Sequence, residues 1–124
     1  MPKPILCLDF DGVIHSYTSG WEGPEVINDP PVPGALEFIN EAMKHFTVAI
    51  FSSRSNQPGG IEAMRQWLNY WATNEGVDHV TWYAIQWPTV KPAAFLTIDD
   101  RAITFTGKWP DVKSLFDFRV WYKR

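Results

Sequence analysis

Four apolar residues, Ile5 to Leu8, run without interruption into Asp9-Phe10-Asp11-Gly12. A short continuous apolar run bounded by a turn suits a strand buried on both faces of a sheet. Carboxylates are seldom left buried without a partner or a metal. Two of them at the mouth of such a strand therefore point to a cation site, and Gly12 lets the chain turn away sharply. A chain that starts this way has to build covering layers around a sheet.

The remaining sequence supplies those layers. Residues 14–33 hold Gly20, Gly23, Pro24, Pro30, Pro31 and Pro33, a density that excludes a regular helix and predicts a long loop. Over residues 34–45, Leu36, Phe38, Ile39 and Met43 recur at helical spacing. Residues 46–51 form a second β-prone apolar run, ending in Ser52-Ser53-Arg54. A second helix is predicted over 61–74, where Ile61, Met64, Leu68 and Trp71 share a face. Weaker strand character follows at 82–86 and stronger at 94–98, the latter ending in Asp99-Asp100. Residues 112–116 suggest a helical turn and 118–122 a last short strand. Alternating strands and helices imply an α/β fold with a central parallel sheet and flanking helices, three-layered and Rossmann-like. Ligands of such sheets sit outside the carboxyl ends of the strands, where Asp9, Asp11, Ser52 and Asp99 should converge.

At 124 residues, positions 1–124 read as one domain with a sizeable core. The net charge of −3 gives no support to a broad nucleic-acid surface, although a local basic pocket is compatible with it. Cys7 is the only cysteine, which excludes an internal disulfide, fits a reducing compartment and suits a small core residue. Only four apolar residues separate Met1-Pro2-Lys3-Pro4 from Asp9, so no signal peptide is expected. No apolar run approaches transmembrane length, and the expected location is the cytoplasm, away from membranes.

In chain order the polar motifs are D-x-D-G at 9–12, serine after the second strand, Lys91 before a later strand, and Asp99-Asp100 closing that strand. This set resembles the haloacid dehalogenase-like (HAD) superfamily in its phosphatase form, from residue 5 to about residue 105. The resemblance implies a Mg²⁺-dependent phosphomonoester hydrolase acting through an aspartyl-phosphate. By it, Asp9 is the nucleophile, and Asp11 is the general acid that later serves as base. Mg²⁺ would be held by the Asp9 carboxylate, the Asp11 carbonyl and Asp99, with Asp100 in support. Ser52 would bind a phosphoryl oxygen, a choice over Ser53 that rests on strand phase, and Lys91 would neutralise the anion. Superfamily members often carry a cap domain; here the 14–33 loop stands in its place. A capless, open site suits a phosphate carried by a macromolecule.

Elementary electrostatics asks for the same set. A carboxylate approaching a phosphate dianion meets roughly 8 kcal/mol of repulsion at about 4 Å and an effective dielectric near 20. A hard divalent cation and a lysine offset a term of that size, whereas hydrogen bonds alone do not. Arg54 could reach a phosphate or form a surface salt bridge, and Ser53 could contact the same group. His15 is more simply a local hydrogen-bonding residue, Trp67 and Trp71 are packing residues, and Trp21 could flank the site mouth. The alternative is a non-catalytic phosphate-binding or phosphotransfer module. Phosphoryl-accepting receivers, however, order their motifs differently, and no motif residue is missing here.

Overall fold

Ile5–Leu8 forms a strand, β1, with three of its four residues buried, as the uninterrupted apolar run requires. In the computed structural model, which describes residues 2–123, the chain continues through α1 (Ala35–Met43), β2 (Thr47–Ile50), α2 (Gly60–Glu75) and β3 (Leu96–Ile98). The outermost positions of the expected 1–124 domain lie outside the described residues. The architecture is mixed α/β with an open three-stranded parallel sheet in the order β2-β1-β3. Among the described residues, no helix is long and apolar enough to cross a membrane.

The register aligns the strand ends. Leu8 pairs with Ile50 on one side and Ile98 on the other, so Asp9, Phe51 and Asp99 leave the sheet at one level. Two further hydrogen bonds extend that alignment, from Phe51 N–H to Leu8 O and from Asp9 N–H to Ile98 O, at 3.1 and 3.0 Å. Successive connections run to β2 on one side of β1 and then back to β3 on the other. In open parallel sheets such a reversal marks the strand ends outside which ligands bind, here those of β1 and β3.

The core lies between β1, β2 and the helices. Leu36, Ile39 and Ala42 of α1 and Met64, Leu68 and Ala72 of α2 are buried, at the 3–4 residue spacing of one helix face. Phe38, expected on that face, is exposed instead. Trp67 is buried and Trp71 partly buried against the core, in keeping with packing roles.

Three segments depart from expectation. Residues 82–86 do not form a strand: Trp82–Ala84 is a 3₁₀ turn, and only Gln86 reaches β2, through a single parallel bridge to Ala49. The buried Trp82 explains this, since its indole N–H donates to Asn40 Oδ1 at 2.6 Å and draws that segment toward α1. Residues 118–122 are not a strand either. A 3₁₀ turn at Trp121–Lys123 follows the turn at Val112–Asp117, and aromatic side chains rather than a backbone ladder hold it to the body. Finally, β3 is not covered on both faces: Leu96 and Ile98 are exposed, and so is every residue from 101 to 117.

Candidate functional site

The turn after β1 is built around the Phe10 carbonyl, which accepts N–H groups from Ile14 and His15, both at 2.9 Å. The fully buried Phe10 ring anchors it from below, edge-on to Trp67. Gly12 has φ 82°, a conformation that L side chains rarely adopt. A Cβ there would also run into the Asp100 carboxylate and the Tyr122 ring. Glycine therefore lets the β1 turn lie directly against the end of β3.

Asp9, Asp99 and Asp100 gather at that junction, each offering an oxygen within 4.8 Å of the others. Asp9 is partly buried and Asp99 exposed. Burial, then a hydrogen bond with Asp100 and the charge of Asp99, push the Asp9 carboxyl up to about 8, against an opposing hydrogen bond from Phe10 N–H. Three carboxylate oxygens in so small a space could hold a metal ion. An all-oxygen donor set fits a hard divalent cation.

Asp11, two residues on, has partners of its own. Arg54 Nε donates to both its oxygens, at 2.9 Å to Oδ2 and 3.2 Å to Oδ1, and His15 Nδ1 lies 2.9 Å from Oδ1. His15 Nε2 accepts the Asp29 N–H at 3.1 Å, which places the ring proton on Nδ1, toward Asp11. With its carboxylate so engaged, any metal ligation by residue 11 falls to its carbonyl. Burial opposes ionisation of Asp29, but hydrogen bonds from the Ser19 hydroxyl and N–H and from Thr18 outweigh it and hold Asp29 below the usual carboxylate range.

Arg54 is not a surface residue. It is fully buried, and its Nη1 donates to the carbonyls of Gly23, Pro24 and Val26 at 2.9, 3.0 and 3.1 Å. The half-exposed Trp21 ring lies 4.8 Å from the guanidinium carbon. Trp21 thus packs on Arg54 within the 14–33 loop.

Ser52 is buried, and Ser53 is exposed. Ser52 Oγ accepts the Arg54 N–H at 3.2 Å, which leaves its hydroxyl proton free to donate. Lys91 is exposed on irregular chain ahead of β3 and forms no salt bridge among the described residues. Its charge nevertheless acts on the buried Cys7 thiol. Burial pushes that thiol up, a Thr97 hydrogen bond opposes, the Asp9 charge adds, Lys91 opposes and Asp99 adds. The structure thus brings Asp9, Asp99 and Asp100 together, pairs Asp11 with Arg54, sets Ser52 at the adjacent strand end, and leaves Ser53 and Lys91 solvent-facing.

Sequence reasoning undervalued His15 and missed Asp29, Trp121 and Tyr122. The one usable signal was the four-residue step from Asp11 to His15, a separation that a tight turn can close. Nothing local marks the others, which arrive from distant chain. Comparison with protein-family models, curated proteins and solved structures gives no match to this chain.

Proposed function

We propose that this chain is a divalent-cation-dependent phosphomonoester hydrolase of the HAD-like phosphatase type, with a Rossmann-like three-layer fold and Mg²⁺ as the cation. One observation carries the reading: two carboxylates from a single turn have separate surroundings. Asp9 sits in an acidic cluster at the carboxyl ends of β1 and β3, and Asp11 sits in a hydrogen-bonded clamp of its own. That division suits one carboxylate that attacks and one that moves protons.

Asp9, Asp99 and Asp100, with the Asp11 carbonyl, would hold the cation. When bound, it supplies the positive charge that offsets repulsion between Asp9 and the phosphate. An Asp9 oxygen attacks phosphorus while the phosphorus–oxygen bond to the alcohol breaks. Asp11 delivers a proton to the departing oxygen. Water then attacks the aspartyl-phosphate, Asp11 takes back a proton, and the Asp9–phosphorus bond breaks to release inorganic phosphate. Ser52 donates its free hydroxyl proton to a phosphoryl oxygen, and the Lys91 ammonium adds charge from the solvent side.

A loop pinned to Arg54 through three carbonyls is a poor lid, which favours phosphates carried on large molecules. The net charge of −3 gives nucleic acid no preference among these. The deciding experiment is hydrolysis of a generic aryl phosphate with Mg²⁺, with EDTA, and by Asp9→Asn. Activity is expected only in the first; turnover by folded Asp9→Asn would remove Asp9 as nucleophile. A screen of sugar phosphates, nucleotides, phosphopeptides and 3′- or 5′-phosphorylated oligonucleotides then identifies the substrate class.

A further inference from the structure

We propose that Arg54 and His15 are positioning residues that aim the Asp11 carboxylate, and that the 14–33 loop thereby forms a fixed part of the acid–base apparatus. This rests on the reading of Asp11 as proton donor and acceptor. Proton transfer to a departing oxygen needs the donor within hydrogen-bond reach and correctly oriented. A carboxylate on a strand-end turn has two rotatable bonds and would otherwise sample several directions. Here Arg54 Nε holds Oδ2 at 2.9 Å and His15 Nδ1 faces Oδ1 at 2.9 Å, so neither bond is free.

Each clamp is itself immobilised. Arg54 is tied to the carbonyls of Gly23, Pro24 and Val26, and its backbone N–H is tied to Ser52. Gly60, opening α2, lies so close that a Cβ there would strike the Arg54 carbonyl. His15 is 1% exposed and fixed by the Asp29 N–H, while Asp29 is bound through its carboxylate to Ser19 and through its carbonyl to the Trp67 indole. The loop cannot shift without releasing Asp11.

Stability alone is a weak explanation for this network. A buried ion pair is generally no better than apolar residues of the same volume. Arg54 Nη2, moreover, is buried with no hydrogen-bond partner among the described residues, a cost only partly offset by the Trp21 ring. The full burial of Arg54 also keeps it from touching a phosphate in solvent, so its action on the reaction runs through Asp11.

The test is kcat/KM for a nitrophenyl phosphate, whose leaving group needs little protonation, and for an alkyl phosphate, whose leaving group needs much. Wild type is compared with Asp11→Asn, Arg54→Lys, His15→Leu and His15→Asn, each checked for folding by circular dichroism. Arg54→Lys and His15→Leu should lose about 10- to 100-fold on the alkyl ester and less than about threefold on the nitrophenyl ester. His15→Asn, whose amide nitrogen stands near the Nδ1 position, should recover most of the loss. An equal loss on both esters, or no loss, overturns the positioning role while Asp11→Asn still discriminates between them. Should Asp11→Asn itself fail to discriminate, the proton-transfer reading falls and the positioning role with it. If Arg54→Lys does not fold, the two His15 variants decide.

Discussion

Trp121 donates its indole N–H to the Gly12 carbonyl at 2.7 Å, across 109 positions of chain. The last turn of the described chain therefore closes over the turn that bears both N-terminal carboxylates. Tyr122 follows it in, its ring edge-on to Tyr17. Replacing Trp121 by Phe keeps most of the ring and deletes the donor. The lost hydrogen bond should cost about 1 kcal/mol, or a fall in Tm of about 3–6 °C. Thermal melts of the two proteins measure it, and superimposable curves would show that the closure contributes nothing.

Asp9 gives the fold a pH dependence of definite sign. Its carboxyl is raised from the ordinary 3.8 to about 8 in the folded chain. Between those values the folded state keeps a proton that the unfolded state has released, so metal-free stability falls as pH rises toward 8 and levels off above it. A divalent cation binds the ionised form and should flatten or reverse that slope. Melts in EDTA and in Mg²⁺ across this range provide the measurement. Asp9→Asn should lose both the slope and the Mg²⁺ response.

Asp29 works in the opposite sense at the acid end. Its carboxyl is held below the usual range, so it contributes stability that is present above its ordinary value and lost as pH falls through its folded one. Between about pH 5 and pH 3 the wild type should lose stability more steeply than Asp29→Asn. Tryptophan fluorescence should report the change early, because the Asp29 carbonyl accepts the Trp67 indole N–H. Parallel acid transitions in the two proteins would remove Asp29 as the acid-sensitive group.

Much of the fold was legible because it is written in periodicity. The unbroken apolar runs became β1 and β2, and the 3–4 residue repeats became α1 and α2. Where side-chain partners lie far off, local pattern misleads. Trp82 and Tyr83 have the composition of a strand, yet Asn40 holds Trp82 in a turn. Residues 118–122 are equally β-prone, but Trp121 is bound to Gly12. The convergence of Asp9 with Asp99 and Asp100 could be read from strand ends alone, since parallel register brings such positions to one edge. The clamp on Asp11 could not. Arg54 follows a strand and looks solvent-accessible in sequence, and its burial depends on a 14–33 loop whose path no repeat encodes.

β1 and β2 are buried strands, whereas β3 is a three-residue edge with its two apolar side chains in solvent. Two of the three clustered carboxylates hang from this weaker member. Its backbone amides should therefore exchange with deuterium through a local opening well below the free energy of global unfolding. Each such opening would dismantle the cluster while leaving Asp9 and the clamped Asp11 in place. A ligand bridging Asp9 to Asp99 would then act as a bolt across the sheet's loosest seam, slowing exchange at Leu96–Ile98 far more than in β2.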